Sequence, residues 1–313
     1  MHISQGEMYI PCTAGGVVAE SDFSGQPILL DGALGTELER RGFDARLPLW
    51  SAWALIEAPD LISQIHRDYV KAGAQVLTAA TFRTTRYTLT KENLGTWAED
   101  LTALAIRLAR DAAADASHPA AIRIAGGIAP LADCYHPERK PPDDILKVEH
   151  EHTARLLATA GADIILVETQ NTAREARIAA QAALDTGLPV WVSLMPRSAT
   201  ELWNGDSLTD TARMLQDLGA EAILINCCPP PIAASAFKTL STALPAARWG
   251  VYPNFSDAEG QPWEFTAGLS PMAFAQWAEP LLSDAAIIGG CCGTTPDHIA
   301  ALRQAIDLKH HHK

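Results

Sequence analysis

From about residue 27 onward one pattern recurs along the chain: a short apolar run ending in small or polar residues, then an amphipathic helical stretch that stops at Gly. The apolar runs read as strands at Ile28–Asp31, Gln75–Thr81, Ile122–Ile128, Asp163–Glu168, Val190–Met195, Ala222–Asn226, Trp249–Tyr252 and Ala285–Gly289. Runs so short and so evenly apolar suit parallel strands covered on both faces. Between them, Pro59–Ala72 places Leu61, Ile62, Ile65, Tyr69 and Val70 on one stripe before Gly73. Ala154–Ala160, Thr172–Thr186 and Thr209–Leu218 read as helices that stop at Gly161, Gly187 and Gly219, the residue best able to follow a helix end. Thr295-Pro296-Asp297 is a strong helix start. Eight strands alternating with helices, and no GxGxxG at a strand-to-helix turn, predict a (β/α)8 TIM barrel rather than a doubly wound sheet.

The expected organisation is a single barrel domain over residues 26–308, an N-terminal arm over 1–25 and a tail over 309–313 that holds three His. The stretches Tyr135–Asp144, with three prolines, and Asn254–Thr266 read as long excursions after strands three and seven. An apolar fraction of 48% supplies a core, and 24 basic against 37 acidic residues give a formal charge of −13. A surface so acidic repels phosphate backbones and argues against nucleic acid as a partner. No apolar run is long enough to span a bilayer, and Met1–Asp22 lacks a charged region followed by an apolar one. The expectation is a cytoplasmic protein acting on small molecules, with its oligomeric state left open.

In such barrels the active site lies at the C-terminal ends of the strands. Those ends offer Asp31 with Gly32, Thr81 with Phe82, Glu168 with Thr169, Asn226 with Cys227 and Cys228, Pro253 with Asn254, and Gly289-Gly290-Cys291-Cys292-Gly293. Four of the six cysteines therefore come as two adjacent pairs at two strand ends, while Cys12 and Cys134 have no such context and read as buried small hydrophobes. Dispersed spacing in a small secreted chain would indicate disulfides, and this chain has neither feature. Three thiolates from two strand ends can hold Zn²⁺ and leave a fourth position open. A substrate thiol, with a pKa of roughly 8.5 when free, would lose its proton there and become a nucleophile near neutral pH.

The Gly-Gly-Cys-Cys-Gly segment at 289–293, with Thr-Pro-Asp-His-Ile at 295–299, resembles the signature of the homocysteine S-methyltransferase family. Asn-Cys at 226–227 looks like that family's first zinc ligand, and Leu-Asp-Gly-Ala-Leu-Gly-Thr-Glu-Leu at 30–38 is similar to its N-terminal motif. Pro-Leu-Trp-Ser-Ala at 48–52, Ala-Gly-Ala at 72–74 and Val-Glu-Thr at 167–169 also match, so that the resemblance covers roughly residues 27–307. It implies a (β/α)8 barrel with one catalytic zinc on Cys227, Cys291 and Cys292, Cys228 being the ambiguous neighbour. It also implies that Asp31 and Glu168 hold the ammonium of homocysteine through charge-assisted hydrogen bonds. The amides around Gly32 and Ala33 would take its carboxylate, and Thr81 would stand beside the substrate. Trp50 would face an onium methyl donor, whose cation an aromatic face attracts.

The implied reaction is methyl transfer from an onium donor to the thiol of homocysteine, giving methionine. Leu-Trp-Ser-Ala at 49–52 resembles the branch that uses S-methylmethionine or S-adenosylmethionine; betaine as donor and other thiol or selenol acceptors are the alternatives. At the donor end the sequence departs from the family. Arg83 stands where relatives carry Tyr or Gln, and Gly-Gly-Ile-Ala-Pro-Leu-Ala-Asp-Cys at 126–134 lacks the Gly-Pro-Tyr-Gly form of the methylmethionine branch. Arg83 reads either as a contact for a donor carboxylate or, preferably, as a solvated rim charge, and Asn254 as a second donor contact. Two rivals remain. A zinc hydrolase would need His ligands at strand ends, whereas His66, His150, His152 and His298 fall on helices. A non-catalytic zinc or thiol-binding protein would close its site with a fourth ligand, for which Cys228 is formally available.

Overall fold

The computed structural model describes residues 25–116, 122–255 and 268–311; Cys12, the expected arm before Gly25 and most of the excursion after strand seven lie outside them. Eight strands form one parallel sheet: β1 (Ile28–Leu29), β2 (Val76–Thr78), β3 (Arg123–Ile128), β4 (Ile164–Gln170), β5 (Val190–Leu194), β6 (Ala222–Asn226), β7 (Trp249–Tyr252) and β8 (Ile287–Ile288). Each strand pairs with its sequence neighbour, and β1 pairs with β8. The sheet closes where Leu30 bridges Val76, the Gln75 N–H donates to the Leu29 carbonyl at 2.8 Å and the Asp31 N–H donates to the Val76 carbonyl at 3.0 Å. This is the expected (β/α)8 barrel.

Strict alternation along each strand builds two cores. Ile28, Leu30, Ile164, Leu166, Trp191, Leu224 and Ile287 fill the barrel interior. Leu29, Ile165, Val167, Val190, Val192, Ile223 and Val251 point outward into the layer beneath the helices. Both faces are dry, so polar side chains along the strands gather toward the C-terminal rim.

The helices are α1 (Gly35–Arg40), α2 (Ala52–Glu57), α3 (Pro59–Lys71), α4 (Arg86–Leu89), α5 (Ala98–Ala114), α6 (Asp143–Thr159), α7 (Ala173–Leu184), α8 (Leu208–Leu218), α9 (Pro230–Ala243), α10 (Pro271–Ala278) and α11 (Pro296–His311). All four predicted stops hold: α3 ends before Gly73, α6 before Gly161 (φ +89°), α7 before Gly187 and α8 at Gly219, where φ is +106°. The helix read at residues 154–160 is only the end of α6, which begins directly after Pro142. Its buried face carries Glu149, His150 and Thr153 beside Leu146, Ala154 and Leu157, so no continuous apolar stripe marks its first half. Asp143 and Asp144 open it, where the helix dipole favours negative charge.

His150 belongs to a buried group that holds the loop after β3 against the barrel. Glu175, fully buried at the start of α7, accepts from the Leu131 N–H at 2.9 Å, lies 3.0 Å from His150 Nε2 and pairs with the Lys140 ammonium. Burial pushes the Glu175 carboxyl upward, but His150 and Lys140 outweigh it and hold the group at about 2. A carboxyl whose pKa is depressed by folding stabilises the fold above its ordinary value of 4.5 and loses that contribution as pH falls toward its folded value. Unfolding free energy measured by chemical denaturation should therefore drop between about pH 4.5 and pH 2. Glu175→Gln should be less stable at neutral pH and flatter across that window; an unchanged slope would remove Glu175 from the acid response.

Candidate active site and metal centre

The sulfurs of Cys227, Cys291 and Cys292 lie within 4.8 Å of one another at the C-terminal mouth of the barrel. Cys227 directly follows β6 with φ of +53°, a left-handed turn that swings its side chain off the strand direction. Cys291 and Cys292 follow Gly289-Gly290 after β8. The chain turns back at Gly293, whose φ of +85° favours glycine, and the Thr294 N–H and hydroxyl both close onto the Cys291 carbonyl. Cys228 takes the other direction and packs in the apolar layer under the helices, where burial raises its thiol well above the ordinary range.

The three clustered thiols share protons. Hydrogen bonds from Cys227 and Cys292 hold Cys291 well below the ordinary thiol value, while Cys227 and Cys292 are held above it. Three further donors reach the same sulfurs. Asn254 Nδ2 and Tyr135 Oη each lie 3.6 Å from Cys227 Sγ. Asn226 Nδ2 points at Cys291 Sγ from 4.0 Å and is fixed by bonds to Thr169 and Ser193. A set of three soft sulfur donors fits Zn²⁺. All three cysteines line one cavity of about 370 Å³, so the side of the cluster left without a sulfur faces space for a ligand.

Asp31 and Glu168 line the same cavity. Burial lifts Asp31 to about 7, against hydrogen bonds from the Thr78 N–H (2.8 Å) and hydroxyl (3.0 Å) that favour its charged form. Burial, then the Asp31 and Cys227 charges, lift Glu168 to about 8. The Glu168 carboxylate makes no ion pair with any cation among the described residues. Two buried carboxyls held so high each gain from a cation arriving between them. The cavity also takes in Trp50 and Phe82, whose rings meet edge to face at 6.0 Å, with the Trp50 indole N–H held by Glu39 at 3.0 Å.

Several expected contacts are placed differently. Thr81 is fully buried and does not line the cavity; its hydroxyl donates to the Gly127 carbonyl at 3.0 Å and accepts from the Gly127 N–H at 2.8 Å. Asn254 is likewise fully buried and serves the Cys227 sulfur instead of a donor. The Ala33 N–H is already used by Thr294 Oγ1 at 3.2 Å. A side chain at Gly32 would collide with Thr294 and Tyr69, so packing alone requires that glycine. Arg83 is no solvated rim charge: it lines the cavity, and its Nε is buried without a hydrogen-bond partner.

Comparison with known proteins agrees with this geometry. The sequence model described as homocysteine S-methyltransferase matches residues 28–306. The chain belongs to the homocysteine S-methyltransferase family. It is 34% identical to the homocysteine S-methyltransferase of Escherichia coli over 88% of this chain and 94% of that protein. It is 30% identical to homocysteine S-methyltransferase 3 of Zea mays, over 91% and 92% of the two chains. The crystal structure of the metallated form of the E. coli homocysteine methyltransferase MmuM superposes with a TM-score of 0.77 at 30% identity, covering 89% of this chain and 96% of that one. Its apo form superposes with a TM-score of 0.70. The chain is thus a methyltransferase of this family, with a cysteine cluster able to bind a metal.

Sequence reasoning passed over Tyr135, because it sits in a proline-rich loop, and Gly127, because glycine in a strand carries no chemistry of its own. A methyl group at Gly127 would strike Glu168 Oε1, so the glycine makes room for that carboxylate. The cluster geometry predicts about one metal ion per chain, lost in Cys291→Ala and in Cys227→Ser and retained in Cys228→Ser. Metal analysis of the purified variants checks this, and loss of metal in Cys228→Ser alone would move the site to the other neighbour.

Proposed function

We propose that this protein transfers a methyl group from an onium donor of the S-methylmethionine or S-adenosylmethionine class to the thiol of homocysteine, forming methionine. The observation that carries the proposal is the placement of three clustered cysteine sulfurs and two unneutralised buried carboxyls around one cavity. Cys227, Cys291 and Cys292 would hold Zn²⁺, which when bound supplies the Lewis acidity that keeps a substrate thiol deprotonated near neutral pH. A closed, non-catalytic site is disfavoured because the fourth cysteine, Cys228, is buried in a different layer. A hydrolase is disfavoured because no His lines the cavity among the described residues.

Asp31 and Glu168 bind the homocysteine ammonium, which fixes the far end of the substrate while its sulfur lies toward the cysteines. Thr78 orients Asp31, and Gly127 leaves Glu168 room to meet the same ammonium. Trp50 and Phe82 present aromatic rings to the donor cation and keep water from it. With both substrates aligned, a thiolate lone pair forms the new S–CH₃ bond as the donor's methyl–onium bond breaks. The bonding electrons return to the donor heteroatom, which leaves neutral. Betaine would satisfy the same balance through nitrogen. The whole barrel domain, residues 26–308, is the unit we assign to this chemistry, and a cytoplasmic setting agrees with its dependence on reduced thiols.

The direct experiment is a panel of onium donors against homocysteine with the zinc-loaded protein, reading methionine formed; no methionine from any donor would refute the proposal. Glu168→Gln should keep its full metal content and lose at least tenfold in kcat/KM with homocysteine, since a charge-assisted hydrogen bond is worth roughly 1.5–3 kcal/mol. A simple thiol without an amino group should lose far less. Equal losses for the two thiols would show that Glu168 acts on the metal or the fold.

A further inference from the structure

Five charged side chains line the cavity among the described residues: Asp31, Glu39, Asp133 and Glu168 are acidic, and Arg83 alone is basic. A cation without an anionic group would be welcomed anywhere along such walls. Among the lining side chains a donor carboxylate has one cation to meet, so its binding depends on where that positive charge stands.

Arg83 follows Thr81 and Phe82 at the end of β2, on the side of the cavity where Phe82 meets Trp50. Its guanidinium carbon lies 5.1 Å from the Phe82 ring centroid, so the flat group is laid along the aromatic wall. It makes no hydrogen bond or ion pair with any described residue, and its Nε is shielded from solvent with nothing to donate to. Its neighbour Asp133 does not neutralise it: that carboxylate accepts from the Tyr135 N–H at 3.0 Å and forms no ion pair with Arg83. A guanidinium presents a fork of donors matched to a carboxylate, and leaving such a group half-buried and unpaired is unfavourable until an anion arrives.

We propose that Arg83 is the carboxylate anchor for the methyl donor, and that it selects onium donors bearing a carboxylate over otherwise identical onium compounds without one. This rests on the methyl-transfer reading above and adds the chemical class of its donor. The acceptor's ammonium is held by Asp31 and Glu168 and its sulfur at the cysteines, whereas Arg83 lies beside the two rings that face the donor cation. The donor's carboxylate on Arg83 and its cation against Phe82 and Trp50 form a two-point grip that presents the methyl group inward.

The test compares S-methylmethionine with its decarboxylated analogue, dimethyl(3-aminopropyl)sulfonium, at saturating homocysteine with zinc-loaded protein. The two donors differ only in the carboxylate. In the wild type the ratio of kcat/KM values should favour S-methylmethionine at least tenfold, as expected for a charge-assisted pair. Arg83→Gln should bring that ratio down at least tenfold, through the donor KM, and Arg83→Lys should keep part of it. Because the ratio compares two donors on one protein, partial misfolding of a variant cancels. An unchanged ratio in Arg83→Gln, or a rise in the homocysteine KM in place of the donor KM, would overturn the proposal. A wild type inactive with every onium donor would instead overturn the methyl-transfer reading, and this one with it.

Discussion

Three cysteine thiols brought within 4.8 Å of one another in the cavity wall create an electrostatic demand that the rest of the site is arranged around. Hydrogen bonds within the cluster hold Cys291 below the ordinary thiol range and Cys292 above it, so the three sulfurs act on one another rather than as separate thiols. The amides of Asn254 and Asn226 direct hydrogens at these sulfurs, and the Tyr135 hydroxyl shares a hydrogen bond with Cys227. Buried carboxyls one layer away add to the same demand, and burial and mutual repulsion lift Glu168 to about 8. Under the proposed chemistry, a metal at the thiols and an ammonium at the carboxyls would relieve both strains together within a single cavity.

The barrel makes this concentration of like charge possible. Alternation along the strands fills the interior with Trp191, Leu166 and their neighbours and covers the outside with helices, leaving the C-terminal rim as the place where polar groups meet. Distant segments of sequence are then joined there by backbone bonds: the Gly290 N–H reaches the Asp31 carbonyl at 3.2 Å and the Cys291 N–H reaches that of Pro253 at 2.9 Å. The loop after β3, which carries Tyr135 to Cys227, is held from behind by the buried Lys140–Glu175–His150 group. Stability in that group is therefore spent on positioning a loop of the site.

The strands were legible because their signal is local: β6 and β7 begin and end where apolar runs meet small or polar residues. The first half of α6 was not, because its inward face carries Glu149, His150 and Thr153 in place of an apolar stripe, and the partners of Glu149 and His150 lie far away in sequence. The same division holds in the site. Cys227, Cys291, Asp31 and Glu168 stand at strand ends, where topology alone directs them to one rim. Thr81 and Asn254 stand at strand ends too, yet each turns to a buried partner, Gly127 or Cys227, that only three-dimensional packing supplies. Arg83 was misread for the converse reason, since nothing in a sequence tells a half-buried guanidinium in a cavity wall from one on the open rim.

The central claim is that the cysteine cluster holds zinc with one coordination position left for the substrate's sulfur. X-ray absorption at the zinc edge reads this directly. The account predicts about three sulfur neighbours in the substrate-free protein, and one more when homocysteine is added and the lighter fourth ligand leaves. Four sulfurs before homocysteine, with no change after it, would mean a closed structural site and would contradict the account.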